Sequence, residues 1–392
     1  MNGATNYKIV YSSNAGDAVI EGAKEIKQMI YDSTKVFINI VTDEGLTYND
    51  SSYYISLGQN KILQKSNLVF NYTGLKHDAF IMKTAGNSLF IDGVSDRGTL
   101  YGAYDFCERF IGVRYLTYSQ TYCPSLENIT LYETDIVSNP AFEDRCFMNR
   151  KFYDDYKYMS RMRCIHEYRD IPDMYGGNIG WFSDNTFVKN YVHNTLDYVE
   201  PDLYLHSHPE WFFVSDGNVC DLHYSHVGLN EDGTINQSLN ESPVKIAIER
   251  LKEFILNSDD LIKYYMIGQM DLNYTCQCQD CVAQEAKYGR SGMNIRFVNA
   301  IYDEVSKWAK QNGINKEWYL CSFAYQWSQS APVKKVNGEY VALDSTVLPR
   351  DNVIVRIAPI QADNYYGMID ERQNERTREM LLGWKAILKE IR

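Results

Sequence analysis

Residues 267–281, IGQMDLNYTCQCQDC, gather several groups that could do chemistry. A short apolar run ends in Gln269 and Asp271, and Cys276, Cys278 and Cys281 follow in C-x-C-x-x-C spacing. A carboxyl group in a partly dry pocket can serve as an acid or a base, or stay ionised and orient a polar substrate group. Asp271 is therefore the candidate catalytic carboxylate, with Gln269 as an amide contact for substrate. The competing reading is a turn aspartate, because Asp271 to Asn273 has loop composition. Three thiolates could bind zinc, but a structural zinc takes four ligands. No adjacent Cys or His completes the set, so His206, His208, Cys220 or a distant residue would have to fold over. A disulfide between two of the three is the oxidised alternative. The expectation is no cofactor and no metal, with the cysteines shaping a loop beside the site. No base accompanies them, which argues against a catalytic thiol.

Further candidates lie elsewhere. LYLHSHPEWFF (203–213) brings His206, His208 and Glu210 close to Trp211. Two histidines and a glutamate suit metal ligation, acid catalysis or hydrogen bonds to sugar hydroxyls, and His208 and Glu210 are taken as substrate contacts. Pro209-Glu210 equally suits the first turn of a helix, where an acid meets the positive helix end. AYQWSQ (324–329) offers Tyr325, a candidate substrate contact, with Gln326 and Trp327; Trp327 fits sugar stacking and core packing alike. Arg356 sits inside an apolar strand, where a charge needs an ion-pair partner or a ligand.

These residues need elements to position them. KIVYS (8–12) and VFINIV (36–41) read as strands around an amphipathic helix whose face carries Val19, Ala23, Ile26 and Ile30. DAFIMK and SLFIDG flank Ala85-Gly86-Asn87 as a hairpin. A helix from Asp96 ends at Gly112, and a strand follows at Val113 to Leu116. This is a small α+β domain over 1–137. Ser138-Asn139-Pro140 marks a turn, and strands and helices alternate over 141–392, starting with a strand at Arg145 to Asn149. Helices are expected at 242–257, capped by Ser242, and at 291–313; strands at 261–268, 317–325 and 352–360; and a last helix carries Met380, Leu381, Trp384, Ile387, Leu388 and Ile391. Alternation of this kind implies a parallel sheet, either doubly wound or a (β/α)8 barrel. No glycine-rich turn of the dinucleotide-binding type follows an early strand. A barrel needs eight strand–helix units and about six are counted, so the reading is a barrel that lacks its last two strands. In such a barrel the strand ends hold the chemistry, and Gln269, Asp271 and Tyr325 stand there.

Bulk composition narrows the partners. The net charge is −12 and no Lys/Arg cluster is present, which argues against nucleic acid. No segment is long and apolar enough to span a bilayer. The N-terminus lacks a charged stretch followed by an apolar one, so no signal peptide is expected in this chain. The six dispersed cysteines read as small buried hydrophobes and leave the compartment open. The 32 tyrosines suit a surface that handles amphipathic ligands such as sugars.

Two resemblances follow from the motifs. Asp96-Arg97-Gly98-Thr99-Leu100-Tyr101-Gly102-Ala103-Tyr104-Asp105-Phe106 resembles the end of the N-terminal domain that precedes the barrel in β-hexosaminidases (family 20) and α-glucuronidases (family 67). That domain is usually non-catalytic, so Arg97 is expected to be structural. His208-Pro209-Glu210-Trp211-Phe212 is similar to the HPEYF-type motif of glycoside hydrolase family 163, once called domain of unknown function 4838. Ile267 to Asp271, the three cysteines, Phe297-Val298-Asn299, Tyr325-Gln326 and Pro349 to Val353 follow in that family's order, over roughly residues 90–392. The family usually reads Q-N-D where this chain has Gln269-Met270-Asp271. The resemblance implies a retaining endo-β-N-acetylglucosaminidase acting on N-glycan cores of glycans or glycoproteins, in an extracellular or periplasmic setting. It also implies substrate-assisted chemistry, in which the 2-acetamido oxygen attacks the anomeric carbon, one carboxylate orients the acetamido group and another acid protonates the leaving oxygen. That partner acid is expected beyond this chain, and this chain by itself is then expected to be inactive. The alternatives are an exo-acting glycosidase of the family 20 or 67 type and a non-catalytic carbohydrate-binding protein.

Overall fold

The computed structural model describes residues 5–142, 145–146, 154–164, 171–177, 192–258 and 262–389. The chain forms two compact units, Met1–Ile179 and Gly180–Arg392. The turn cluster at 138–140 thus falls inside the first unit, and so does Arg145. Its guanidinium pairs with Asp78 at 2.6 Å and it lies in no strand. The rest of the strand expected from Arg145, 147–149, lies outside the described residues.

The first unit is built on a six-stranded sheet in the order β2-β1-β3-β5-β4-β8. Its strands are β1 (Lys8–Tyr11), β2 (Asn39–Thr42), β3 (Tyr54–Leu57), β4 (Phe80–Ala85), β5 (Ser88–Gly93) and β8 (Asp135–Ser138); β6 (Arg114–Thr117) and β7 (Gln120–Tyr122) form a separate ribbon. β1, β2, β3 and β5 run parallel, whereas β4 lies antiparallel to β5 across the expected hairpin. Helices α1 (Asp17–Thr34) and α3 (Asp96–Phe106) share one core with the sheet, and α2 (Lys61–Lys65) packs in a smaller cluster. The predicted apolar face of α1 is buried, and Tyr101, Tyr104 and Phe106 of α3 join it. Gly102 lets α3 approach the sheet, because a Cβ there would come within 2.4 Å of Ile91 Cγ2.

Buried charge ties α1 and α3 to their surroundings. Arg97 is buried against Asp78 at 2.9 Å and donates to the Gly177 carbonyl, so its role is structural as expected. Burial pushes the Asp78 carboxyl up, but the His77 hydrogen bond and the Arg97 and Arg145 guanidiniums outweigh it and hold it at about 2. Glu25 of α1, also buried, meets Arg161 at 2.6 Å and Lys157 at 3.1 Å, both on α4 (Tyr156–Arg161).

The second unit holds three parallel strands in the order β11-β12-β15, namely β11 (Tyr264–Met266), β12 (Tyr319–Ala324) and β15 (Val353–Ile357). Helices α7 (Pro243–Asn257) and α9 (Arg290–Gln311) precede β11 and β12, with the short α8 (Gln279–Tyr288) between them, and α10 (Glu375–Ile387) follows β15. The expected faces are buried: Val244, Ile248, Leu251 and Ile255 on α7, and Ile295, Val298, Val305 and Ala309 on α9. Each Val, Ile or Leu side chain so removed from water contributes roughly 1.5–3 kcal/mol. Ser242 occupies the N-cap position of α7, but its side chain makes no capping bond. The α/β class with parallel strands stands, with three parallel strands in this unit among the described residues. Two antiparallel hairpins, β9 (Phe212–Ser215) with β10 (Asn218–Leu222) and β13 (Val333–Val336) with β14 (Glu339–Ala342), were not anticipated. The stretch around His206 and His208 holds the helical turns α5 (Thr195–Tyr198) and α6 (Pro201–Tyr204), and a 3-10 turn at Pro209–Trp211.

Candidate functional site

β11 and β12 are parallel neighbours, so the loops that leave their C-terminal ends emerge on one edge of the sheet. One carries Gln269 and Asp271, the other Tyr325 to Ser328. They meet: the Tyr325 hydroxyl donates to Asp271 Oδ1 at 2.8 Å, and Asp271 is exposed. Burial and this bond push the Tyr325 phenol up, so it keeps its proton and remains a donor. Gln326, next to Tyr325, has φ 51°, a left-handed conformation uncommon for a residue with a side chain. Such strain clusters where a loop has to aim side chains.

Each residue of the 267–271 loop is held. Asn194 Nδ2 donates to the Met266 carbonyl at 2.8 Å, and the Gly268 N–H donates to Asn194 Oδ1 at 2.8 Å. The Gly268 carbonyl accepts from the backbone N–H groups of Asn194 and Thr195. No side chain fits at Gly268, since a Cβ would lie 1.7 Å from the Val192 carbonyl oxygen. The Gln269 carbonyl meets His193 Nδ1 at 2.7 Å. A carbonyl only accepts, so Nδ1 carries a proton and donates it. The His193 ring also lies 5.5 Å from that of Tyr325.

Gln269 corrects an expectation. It is fully buried; its Nε2 donates to the Tyr325 carbonyl at 2.8 Å, and its Oε1 accepts from Ser328 Oγ. Its amide is committed to the protein and braces one loop against the other, so it is not a substrate contact. Met270 is held through its backbone N–H, which donates to Asp221 Oδ2 at 3.0 Å. The departure from Q-N-D therefore leaves this anchor intact, because any residue but proline offers that N–H.

Asp221, on β10, was not singled out in the sequence. It is buried, and it also accepts from Thr195 Oγ1 and the Leu222 N–H, both at 2.7 Å. Burial pushes its carboxyl up to about 6, against the pull of those three hydrogen bonds and of His193. The one available signal was an acid inside the apolar run Val219 to Leu222. His193 carried none, since 76 residues separate it from its partner Gln269.

The remaining candidates lie apart from this pair. His208 stacks on Trp211 with centroids 4.0 Å apart and meets Glu210 at 3.1 Å and Glu241 at 3.5 Å. Glu210 sits in the first turn of the 3-10 segment, as the helix-start reading anticipated. Neither residue bonds Asp271 or Tyr325. Trp327 is buried against Tyr224 and belongs to the core. Arg356 is half-buried on β15, in register with Phe323. A cavity of about 660 Å³ between β15 and α10, lined by Ile354, Leu381 and Leu388 among others, holds none of the candidate residues.

At the cysteine cluster a distant residue does fold over. All nine cysteines are free thiols. The ligating atoms of Cys276, Cys278, Cys281 and His223 lie within 4.8 Å of one another. A fourth group is thus present, and it is none of those named in advance: Cys220 faces the Tyr274 hydroxyl at 3.8 Å, and His208 is engaged as described.

A family model described as "Domain of unknown function (DUF4838)" matches residues 115–392. No curated protein matches the sequence. Among solved structures, the chain is similar to a family GH115 4-O-methyl-α-glucuronidase with specificity for decorated arabinogalactans, at 14% identity and TM-score 0.40, over 84% of this chain and 43% of that one. It is similar to a chitobiase of Flavobacterium johnsoniae at 12% identity and TM-score 0.38, over 91% and 52%. It is also similar to a β-N-acetylhexosaminidase of Bacteroides fragilis at 11% identity and TM-score 0.34, over 91% and 67%. The chain spans about half the length of the first of these structures.

Proposed function

The chain belongs to the DUF4838 family, and we propose that it is a glycoside hydrolase acting on N-acetylglucosamine-containing glycans, as a retaining endo-β-N-acetylglucosaminidase. One observation carries the reading: a carboxylate and a phenol, Asp271 and Tyr325, held together at the C-terminal edge of parallel strands by a braced loop. An acetamido group presents one N–H and one carbonyl. Asp271 is the matching acceptor and Tyr325 the matching donor. Holding the acetamido oxygen in line with the anomeric carbon turns attack into an intramolecular step and confines the group to a reactive pose. Asp271 then stabilises the positive charge that develops on the acetamido nitrogen as the ring forms. A separate carboxylic acid protonates the leaving oxygen. The three parallel strands are assigned to a (β/α)8 barrel, whose C-terminal face is where such sites form. The ordered motifs that this chain has in common with glycoside hydrolase family 163 support the same substrate class, from which we infer an extracellular or periplasmic setting.

The test is cleavage of an N-glycan carrying a chitobiose core by a full-length form that also carries the leaving-group acid, with the products mapped by mass. Release of an intact glycan is expected. Asp271→Ala should lower turnover roughly 10²–10³-fold, as loss of a charge-stabilising group does. Tyr325→Phe should act in the same direction and less strongly. Release of single sugars would replace the endo reading with an exo one. Glycan binding by that full-length form with no turnover would mark a binding protein.

A further inference from the structure

We propose that Cys276, Cys278, Cys281 and His223 are the four ligands of a structural zinc ion that clamps the loop carrying Asp271 to the turn after β10. The four ligating atoms lie within 4.8 Å of one another, drawn from two segments more than fifty residues apart. Zinc bonds of about 2.3 Å to sulfur place tetrahedral sulfurs about 3.8 Å apart, and a sulfur and a nitrogen about 3.5 Å apart. His223 Nε2 lies 2.7 Å from Cys276 Sγ. Inserting the ion therefore requires shifts of an ångström or so in side chains that are not all fully buried.

The surroundings fit a metal-bound imidazole and thiolates. His223 Nδ1 meets the Glu210 carbonyl at 3.0 Å. That carbonyl fixes the proton on Nδ1 and leaves the Nε2 lone pair facing the cysteines, the usual support of a zinc-bound histidine. Donors point at the sulfurs: the Cys278 N–H at Cys276 Sγ, 3.3 Å, and the Cys281 N–H at Cys278 Sγ, 3.4 Å. The Ser225 hydroxyl lies 3.0 Å from Cys281 Sγ. Cys278 also caps α8, so its sulfur sits at the positive end of that helix. Four protein ligands leave no open position, which makes the ion structural and not catalytic. On binding, three thiol protons pass to solvent and three sulfur–zinc bonds form.

The position explains what the ion would do. Asp221 fixes the front of the loop through Met270, and two residues further along the same chain segment His223 fixes its back through Cys276. Asp271 lies between these anchors. The inference does not rest on the glycosidase reading, since zinc content is measured without substrate.

The experiment uses the full 392-residue chain, purified reduced and without chelator. Elemental analysis should find about one zinc per chain. X-ray absorption at the zinc edge should show three sulfur neighbours and one nitrogen. Cobalt(II) replacement should give thiolate-to-metal charge-transfer bands and tetrahedral ligand-field bands. Cys276→Ser and His223→Ala should each lose zinc to a chelator at least about tenfold faster, as the loss of one of four ligands requires. Absence of bound metal after reconstitution with zinc, iron in its place, or a disulfide among the three cysteines would overturn the proposal. Retention of zinc by His223→Ala with an unchanged cobalt spectrum would remove His223 from the site. Because absorption and cobalt spectra are read on the unmutated protein, a variant that fails to fold leaves the proposal open to refutation.

Discussion

At the residue scale, the group that fixes the site geometry is buried and lies beside the residue expected to react. Asp221 accepts from the Thr195 hydroxyl and from the backbone N–H groups of Leu222 and Met270. Its carboxyl titrates near 6 in the folded chain and near 3.8 when unfolded. Above pH 6 the folded protein buries a charge, and below pH 4 both states are protonated. The folded state therefore holds more protons in between, and stability from this group falls as pH rises from about 4 to about 6. The difference of roughly two pKa units corresponds to about 3 kcal/mol. Asp221→Asn removes the titration but turns an amide N–H toward donors that need an acceptor. It should cost about 1–3 kcal/mol at pH 4 and flatten the pH dependence between 4 and 6. Urea unfolding at both pH values measures this; an unchanged slope would mean that Asp221 does not titrate there.

At the element scale, α4 is joined to α1 by charge. Glu25 is the hub, meeting Arg161, Lys157 and the Tyr115 hydroxyl, and Arg161 stacks over the Tyr115 ring at 4.8 Å. A buried pair is weak evidence for stability as a whole, but breaking one strands the remaining charge. Glu25→Ala should therefore destabilise the first unit by about 3–5 kcal/mol, and Glu25→Gln by less. Denaturant midpoints check both. A loss under about 1 kcal/mol from Glu25→Ala would place the network among idle surface pairs. At the same scale, His206 and His208 lie between two helical turns that open at Pro201 and Pro209, each at a first helical position where a missing N–H costs nothing.

At the scale of the whole molecule, the two units should answer acid in opposite ways. Asp78 in the first unit is held at about 2, so its contribution is present above pH 4 and is lost as pH falls from about 4 to 2. Asp221 in the second unit gains over the range just above, from pH 6 down to 4. Hydrogen exchange followed by mass, peptide by peptide, separates the two. Peptides of β10 and β11 should gain protection between pH 6 and 4 after correction for intrinsic exchange. Peptides of α3 and β4 should lose it below pH 4. Parallel changes in both would contradict the two carboxyl environments. No helix among the described residues is long and apolar enough to cross a membrane.

The sequence by itself determined the local elements and the positions of the loops. The apolar periods of α1, α7 and α9 are written in neighbouring residues, and so is the Gly112 stop, because helix faces and caps depend on residues three or four apart. Asp271 and Tyr325 were legible for the same reason, each standing just past an apolar run. Tertiary structure alone decided what those residues touch. It placed His193 on Gln269, Asp221 on Met270 and His223 on the cysteines, across 76, 49 and 53 residues. It also turned Gln269 inward. Such pairings arise from burial, which forces each polar atom removed from water to find a partner wherever the chain brings one. Spacing in a sequence carries no record of that choice.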